Sequence, residues 1–74
     1  MEYAIYLYWG TEGHPCNNFI QFPLTRESWI EAQRQIDIGK RIIRLERRND
    51  SDPLYVNLDK YTHVEFVTFE EDGD

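Results

Sequence analysis

The run Tyr3-Ala4-Ile5-Tyr6-Leu7-Tyr8-Trp9 decides the fold. Tyr3, Ile5, Leu7 and Trp9 alternate with Ala4, Tyr6 and Tyr8, the period of two that a pleated strand imposes on its side chains. Aromatic and aliphatic residues suit such a surface, so a β-strand is expected over 3–9. The next stretch, Gly10 to Asn18, holds two glycines, a proline and two asparagines. These residues supply positive φ, fixed φ and local side-chain hydrogen bonds, and a loop is expected there. Phe19 to Phe22 then returns as a short second strand, with Pro23 at the end of an edge strand because proline cannot donate to a ladder.

A helix is expected to start at Thr25, whose hydroxyl can accept from a free amide of the first turn, while Glu27 complements the positive end of the helix dipole. Leu24 and Trp29 are spaced for a hydrophobic staple. Trp29, Ala32, Gln33 and Ile36 make a narrow stripe at helical spacing, with Trp29 in the core, and Gly39 supplies the left-handed residue that ends the helix. Arg41 to Arg47 reads as a strand with Ile43 and Leu45 inward, Arg44 and Glu46 outward, and Ile42 as the exception. Asn49 to Pro53 is a polar turn, and Leu54 to Leu58 and His63 to Glu70 are two further strands. The short Asp59 to Thr62 connection predicts that these two pair antiparallel with each other.

The expected architecture is one α+β domain over residues 1–74: an antiparallel or mixed sheet of four to five strands with one helix packed on one face, and 71–74 as a flexible acidic tail. One helix covers one face only. The outward set Tyr6, Tyr8, Val67 and Phe69 is thereby left as aromatic surface that pairs with something, and a homodimer is the ordinary answer for a small soluble chain.

Seventy-four residues bury only about 60% of the unfolded chain's surface, which argues against a sizeable active-site cleft. The 41% hydrophobic content argues for a folded chain. The longest apolar run, Tyr3 to Trp9, is far short of the roughly 18 residues of a bilayer span and lacks the basic flank of a signal peptide. A lone cysteine, Cys16, forms no internal disulfide and suits a reducing, cytoplasmic compartment.

Charge is the most informative feature, because it is sorted along the chain. From Arg26 to Arg48 there are seven basic residues against four acidic ones; from Asn49 to Asp74 there are eight acids against Lys60 alone, and the net charge is -6. Such a field steers association with a basic partner. Carboxylates spaced along strands and a tail can occupy the positions of nucleic-acid phosphates, so the acidic half is expected to compete for a protein that binds nucleic acid. The candidate contacts are Glu65, Glu70, Glu71 and Asp72, then Asp50, Asp52 and Asp59, with Tyr6 or Tyr8 as an aromatic anchor. The plain alternative is a solubilising surface. A second class of function, an oligomeric module for a nucleotide-like anion, would use Arg41, Arg44, Arg47 and Trp9. A third is a structural subunit of a larger assembly. Direct nucleic-acid binding is not expected: alternation divides the arginines between faces, no RNP-type motif is present, and the net charge opposes it.

Other constellations point away from catalysis. His14, Cys16 and His63 are too few for a four-ligand zinc site in one chain, and no cofactor is expected. A Cys16 nucleophile with His14 or His63 as base would have little scaffold for an oxyanion hole. Asp50 and Asp52 flank Ser51 as turn formers without a calcium-loop pattern, and Gly10 and Gly13 lack the lysine and helix start of a phosphate loop. A non-enzymatic binding protein is the expected class.

The arrangement Leu24-Thr25-Arg26-Glu27-Ser28-Trp29, then Asp37-Ile38-Gly39-Lys40, then Tyr55-Val56-Asn57-Leu58-Asp59, then His63-Val64-Glu65-Phe66 resembles small α+β proteins encoded by bacteriophages and mobile elements. The resemblance implies their repertoire: acidic inhibitors of host nucleic-acid enzymes, including anti-CRISPR and DNA-mimic proteins, and small counter-defence or regulatory proteins acting in the bacterial cytoplasm. It assigns no role to a particular residue.

Overall fold

The computed structural model describes residues 1–11 and 13–70, apart from the side chains of His14, Pro15 and Cys16. Its elements run β1 (Glu2–Thr11), β2 (His14–Leu24), α1 (Arg26–Asp37), β3 (Ile42–Glu46), β4 (Pro53–Asn57), a 3-10 turn (Leu58–Lys60) and β5 (His63–Phe69). The fold is α+β, but the strands form two antiparallel sheets rather than one: a three-stranded sheet in the order β2-β1-β5, and the β3-β4 hairpin. The expected acidic tail, residues 71–74, lies outside the described residues.

Two local expectations are corrected. The stretch read as a loop is the end of a hairpin. β1 continues to Thr11 and β2 begins at His14, with Gly13 in the left-handed region at φ 81° and a register shift between Trp9 and Thr11. Turn-forming residues there shape the tip and a bulge without ending the strands. Pro23 likewise sits within β2, opposite Ala4, which an edge strand tolerates. The second correction concerns β5, which pairs with β1 and not with β4. Asn57 accepts from Asp59 N at 3.0 Å to cap the 3-10 turn, and Thr62 N then donates to Tyr8 O at 2.8 Å, delivering β5 to the open edge of β1.

Register sorts the sheet into two faces. Ile5 and Leu7 are fully buried on the inner face, where Phe22 and Ile20 lie opposite them on β2 and Phe66 and Val64 on β5. The same core takes Leu24, Ala32, Ile43, Leu45 and Val56, so the helix and the hairpin together cover the inner face. Each large apolar side chain buried here contributes about 1.5–3 kcal/mol. Trp29 packs between Tyr3 and Phe66, at ring-centroid distances of 5.1 and 6.3 Å.

The helix is bounded as its sequence demands. Thr25 Oγ1 accepts from Ser28 N at 3.1 Å, and past Ile38 the chain turns through Gly39 at φ 89°. Ser28 and Gln35, rather than the Gln33 of the expected stripe, are its buried polar residues, each only 6% exposed. Both serve β3. Gln35 Oε1 accepts from Arg44 N at 3.1 Å and Gln35 Nε2 donates to Arg44 O at 3.2 Å, while Ser28 Oγ accepts from Glu46 N at 2.7 Å. The end of β2 completes the edge, with Thr25 N donating to Glu46 O at 3.2 Å and Arg48 N to Pro23 O at 3.0 Å around an isolated Leu24–Arg47 bridge. Side chains of α1 thus take the place of a neighbouring strand.

Gln35→Ala should therefore leave two half-buried backbone groups without their partner and lower stability by about 2–3 kcal/mol, and Ser28→Ala by about 1–2 kcal/mol. Gln33→Ala, whose amide donates only to Trp29 O on its own helix, should stay under about 1 kcal/mol. Urea unfolding measures all three; a Gln35→Ala variant no weaker than Gln33→Ala would show that water replaces the amide.

Candidate functional site

The outer face of the three-stranded sheet is built by β-register alone. Tyr6 lies opposite Gln21 and Glu65, Tyr8 opposite Phe19 and His63, Ala4 opposite Pro23 and Val67, and Glu2 opposite Phe69. Four rings gather at its centre. Tyr6 is 6.3 Å from Tyr8 and 5.7 Å from Phe19, and Tyr8 is 5.8 Å from Phe19 and 5.3 Å from His63, ring centroid to centroid. Tyr8 Oη donates to Glu65 Oε1 at 3.0 Å, and His63 Nε2 stands 3.6 Å from Glu65 Oε2. Phe19 is 58% exposed although it is a large apolar side chain. No lysine or arginine occupies a paired position of this face.

Of the expected acidic contacts, the structure brings Glu65 together with Tyr6 and Tyr8. Glu70 is exposed just past β5, at the end of the sheet where Glu2 pairs with Phe69. Asp50 and Asp52 share the β3–β4 turn, where Asp50 Oδ1 accepts from Asp52 N at 3.0 Å. Asp59 lies at the opposite end of that hairpin, in the 3-10 turn. Glu71 and Asp72 fall outside the described residues.

The arginines of the alternative anion site each hold a carboxylate. Arg41 pairs with Asp59 at 2.5 Å, Arg44 with Glu46 at 2.7 Å and Arg47 with Asp50 at 2.9 Å. At the strand rise of about 3.3 Å per residue, Arg41 and Arg47 are roughly 20 Å apart along the chain. Trp9, the remaining member of that set, is 37% exposed and meets Tyr61 edge-on at 6.1 Å. Two more pairs complete the pattern: Arg48 with Glu2 at 2.9 Å, and Arg34 with Glu31 across one helical turn.

Sequence reasoning missed two features. Phe19 belongs with Tyr6 and Tyr8, a placement that follows once β2 is paired in register with β1. The other is a groove of about 520 Å³ between α1 and the outward side of the β3-β4 hairpin, lined by Glu27, Glu31, Lys40, Arg44, Glu46 and Tyr55 among others. The exposed Ile42 and Tyr55 on that side were its only signal. Within it, the hydrogen bond from Arg34 holds the Glu31 carboxyl below its ordinary range, and Glu46, then Tyr55, hold the Arg44 guanidinium above its own. Both charges are already answered, so the groove presents no uncompensated charge from either.

Among the described residues no group of three or more His, Cys, Asp or Glu is arranged to hold a metal ion, and no helix is long and apolar enough to cross a membrane. Comparison with protein-family models, curated proteins and solved structures finds no match for this chain.

The Glu31–Arg34 pair supplies a direct check on the electrostatics. A carboxyl held low in the folded state stabilises above its unfolded pKa, and that contribution fades as pH falls through the folded value. For so exposed a pair the effect on stability is small, so the observable is the titration itself. Carboxyl-detected NMR should place the Glu31 midpoint below the ordinary glutamate value, and Arg34→Ala should raise it; an unmoved midpoint would mean the pair is not formed in solution.

Proposed function

We propose that this chain is a non-enzymatic acidic binding protein, a phage-type inhibitor that acts in the bacterial cytoplasm by occupying the basic, nucleic-acid-binding surface of a host protein such as a nuclease or CRISPR effector. One observation carries the reading. Five arginines are held in ion pairs within the chain, on Glu31, Asp59, Glu46, Asp50 and Glu2, so they do little to offset the remaining carboxylates. Asp52, Glu65 and Glu70, with Glu27 and Asp37 on α1 and the acidic sequence that follows Glu70, are then the groups a basic surface meets. Their competition with phosphate is electrostatic, and it weakens as salt screens it.

The fourfold variant Glu65→Lys, Glu70→Lys, Glu71→Lys and Asp72→Lys tests this. Tagged chain is used to capture proteins from a bacterial lysate at low and high salt, and each captured protein is assayed for nucleic-acid binding with and without the chain. Wild-type chain should displace nucleic acid from a captured protein, with affinity lost at high salt and reduced about tenfold or more by the reversal. Equal displacement by the reversed chain, or captured proteins that keep their nucleic acid, would sink the reading.

A further inference from the structure

We propose that the outer face of the β2-β1-β5 sheet is a binding site for an arginine side chain of the partner protein, with Glu65 as the carboxylate anchor and Tyr6, Tyr8 and Phe19 as the stacking surface. The inference rests on the proposed acidic-binding function and names the contact chemistry within it.

Glu65 differs from the five carboxylates that arginines of the chain hold in ion pairs. Glu2, Glu31, Glu46, Asp50 and Asp59 each face a guanidinium of the same chain. Glu65 is instead oriented by the Tyr8 hydroxyl and flanked by the His63 imidazole, and no arginine or lysine occupies a paired position of its face, Arg48 reaching Glu2 at the Phe69 end. A carboxylate offers about four acceptor positions, and the Tyr8 hydrogen bond takes one, so a forked guanidinium can still be received. The neighbouring rings add to the same field. Aromatic faces carry the negative side of the ring quadrupole, and a cation within about 6 Å of a ring centroid is attracted to it. Phe19, 58% exposed, continues the aromatic surface on the far side of Tyr8, whose ring lies 5.8 Å away.

The occupant follows from charge. A second copy related by a two-fold axis would bring the same face, with its Glu65 and no lysine or arginine at a paired position, against this one. A nucleic acid would bring phosphate to a carboxylate. An arginine-bearing segment answers both the charge and the rings, and a planar guanidinium stacks and forks where a lysine ammonium does neither as well.

Capped Arg-Arg dipeptide amide, and the same peptide with neutral citrulline at both positions, are titrated into labelled full-length chain and followed by NMR. Saturable shifts should appear at Tyr6, Tyr8, Phe19 and the Glu65 carboxyl with the arginine peptide, and the citrulline peptide should bind about tenfold more weakly or worse. Glu65→Gln keeps an acceptor for Tyr8 and should weaken arginine binding roughly tenfold, and Phe19→Ala roughly threefold. Unchanged backbone resonances on the inner face verify that both variants are folded. Equal binding of citrulline, indifference to Glu65→Gln, or shifts confined to Glu70 and Asp52 would overturn the site. Shifts on this face caused by raising the protein concentration alone, or by oligothymidylate, would overturn it in favour of a second copy or a nucleic acid. Because the peptide titration needs no partner protein, the two readings fail separately. A silent face beside charge-sensitive displacement of nucleic acid removes only the arginine site, whereas arginine binding without any such displacement keeps the site and removes the inhibitor reading.

Discussion

The edge of β3 is the constraint on which the rest depends. Its Arg44 and Glu46 backbone groups point toward the interior side of the molecule, where an unmet N–H or C=O would weaken a small domain by about 1–3 kcal/mol. Ser28 and Gln35 meet them from the helix, and Thr25 and Pro23 meet the remainder from the chain just before it. This fixes the helix alongside β3 and ties the hairpin to the end of β2 at a single bridge. With β3 satisfied by a helix on one side and β4 on the other, the hairpin cannot extend the main sheet. The free edge of β1 is left for β5, and the outer face of the sheet is left for no element of the chain among the described residues.

Much of this was legible because the decisive signals are local. The period of two from Tyr3 to Trp9, the Thr25 cap, the Gly39 stop and the inward Ile43 and Leu45 all report on a residue's own backbone. What failed to be legible was which strand pairs with which. The four residues from Asp59 to Thr62 look like a hairpin connection, yet a 3-10 turn capped by Asn57 redirects them, and the reward for doing so lies in Phe66 and Val64 reaching the core beside Ile5 and Leu7. That reward is tertiary and leaves no local mark. Gln35 was hidden for a related reason: the stripe of Trp29, Ala32, Gln33 and Ile36 passes it by, and its inward place is evident only once the strand it serves is in position. For the candidate site, Tyr6, Tyr8 and Glu65 were named from the sequence, but their convergence with Phe19 and His63 required the register of all three strands.

Sorting of charge along the chain becomes pairing in space. Arg41 and Arg47, from the basic stretch, hold Asp59 and Asp50 from the acidic one, and Arg48 reaches Glu2 at the other end of the sequence. Exposed pairs of this kind contribute little to stability, typically about 0–1 kcal/mol each. Their larger consequence is for what remains. An arginine held on a carboxylate of its own chain presents a dipole rather than a charge to an approaching molecule, so the long-range field is set by the carboxylates without such partners.

Glu65 connects an open edge of the sheet to the proposed contact. β5 is an edge strand of sequence His63-Val64-Glu65-Phe66-Val67-Thr68-Phe69, rich in β-favouring residues and without proline or lysine. An edge of that kind invites pairing with another chain, and a charge on it is one of the few local means of discouraging this. Glu65 is the only charge fixed in sign along the strand and sits near its middle, so strand-on-strand stacking of two copies about that point would bring two carboxylates together. The same charge on an open aromatic face favours a guanidinium. In the proposed contact, the residue that discourages self-pairing is therefore also the one that would select a basic partner, because the edge strand places its one carboxylate on the same face as Tyr6, Tyr8 and Phe19.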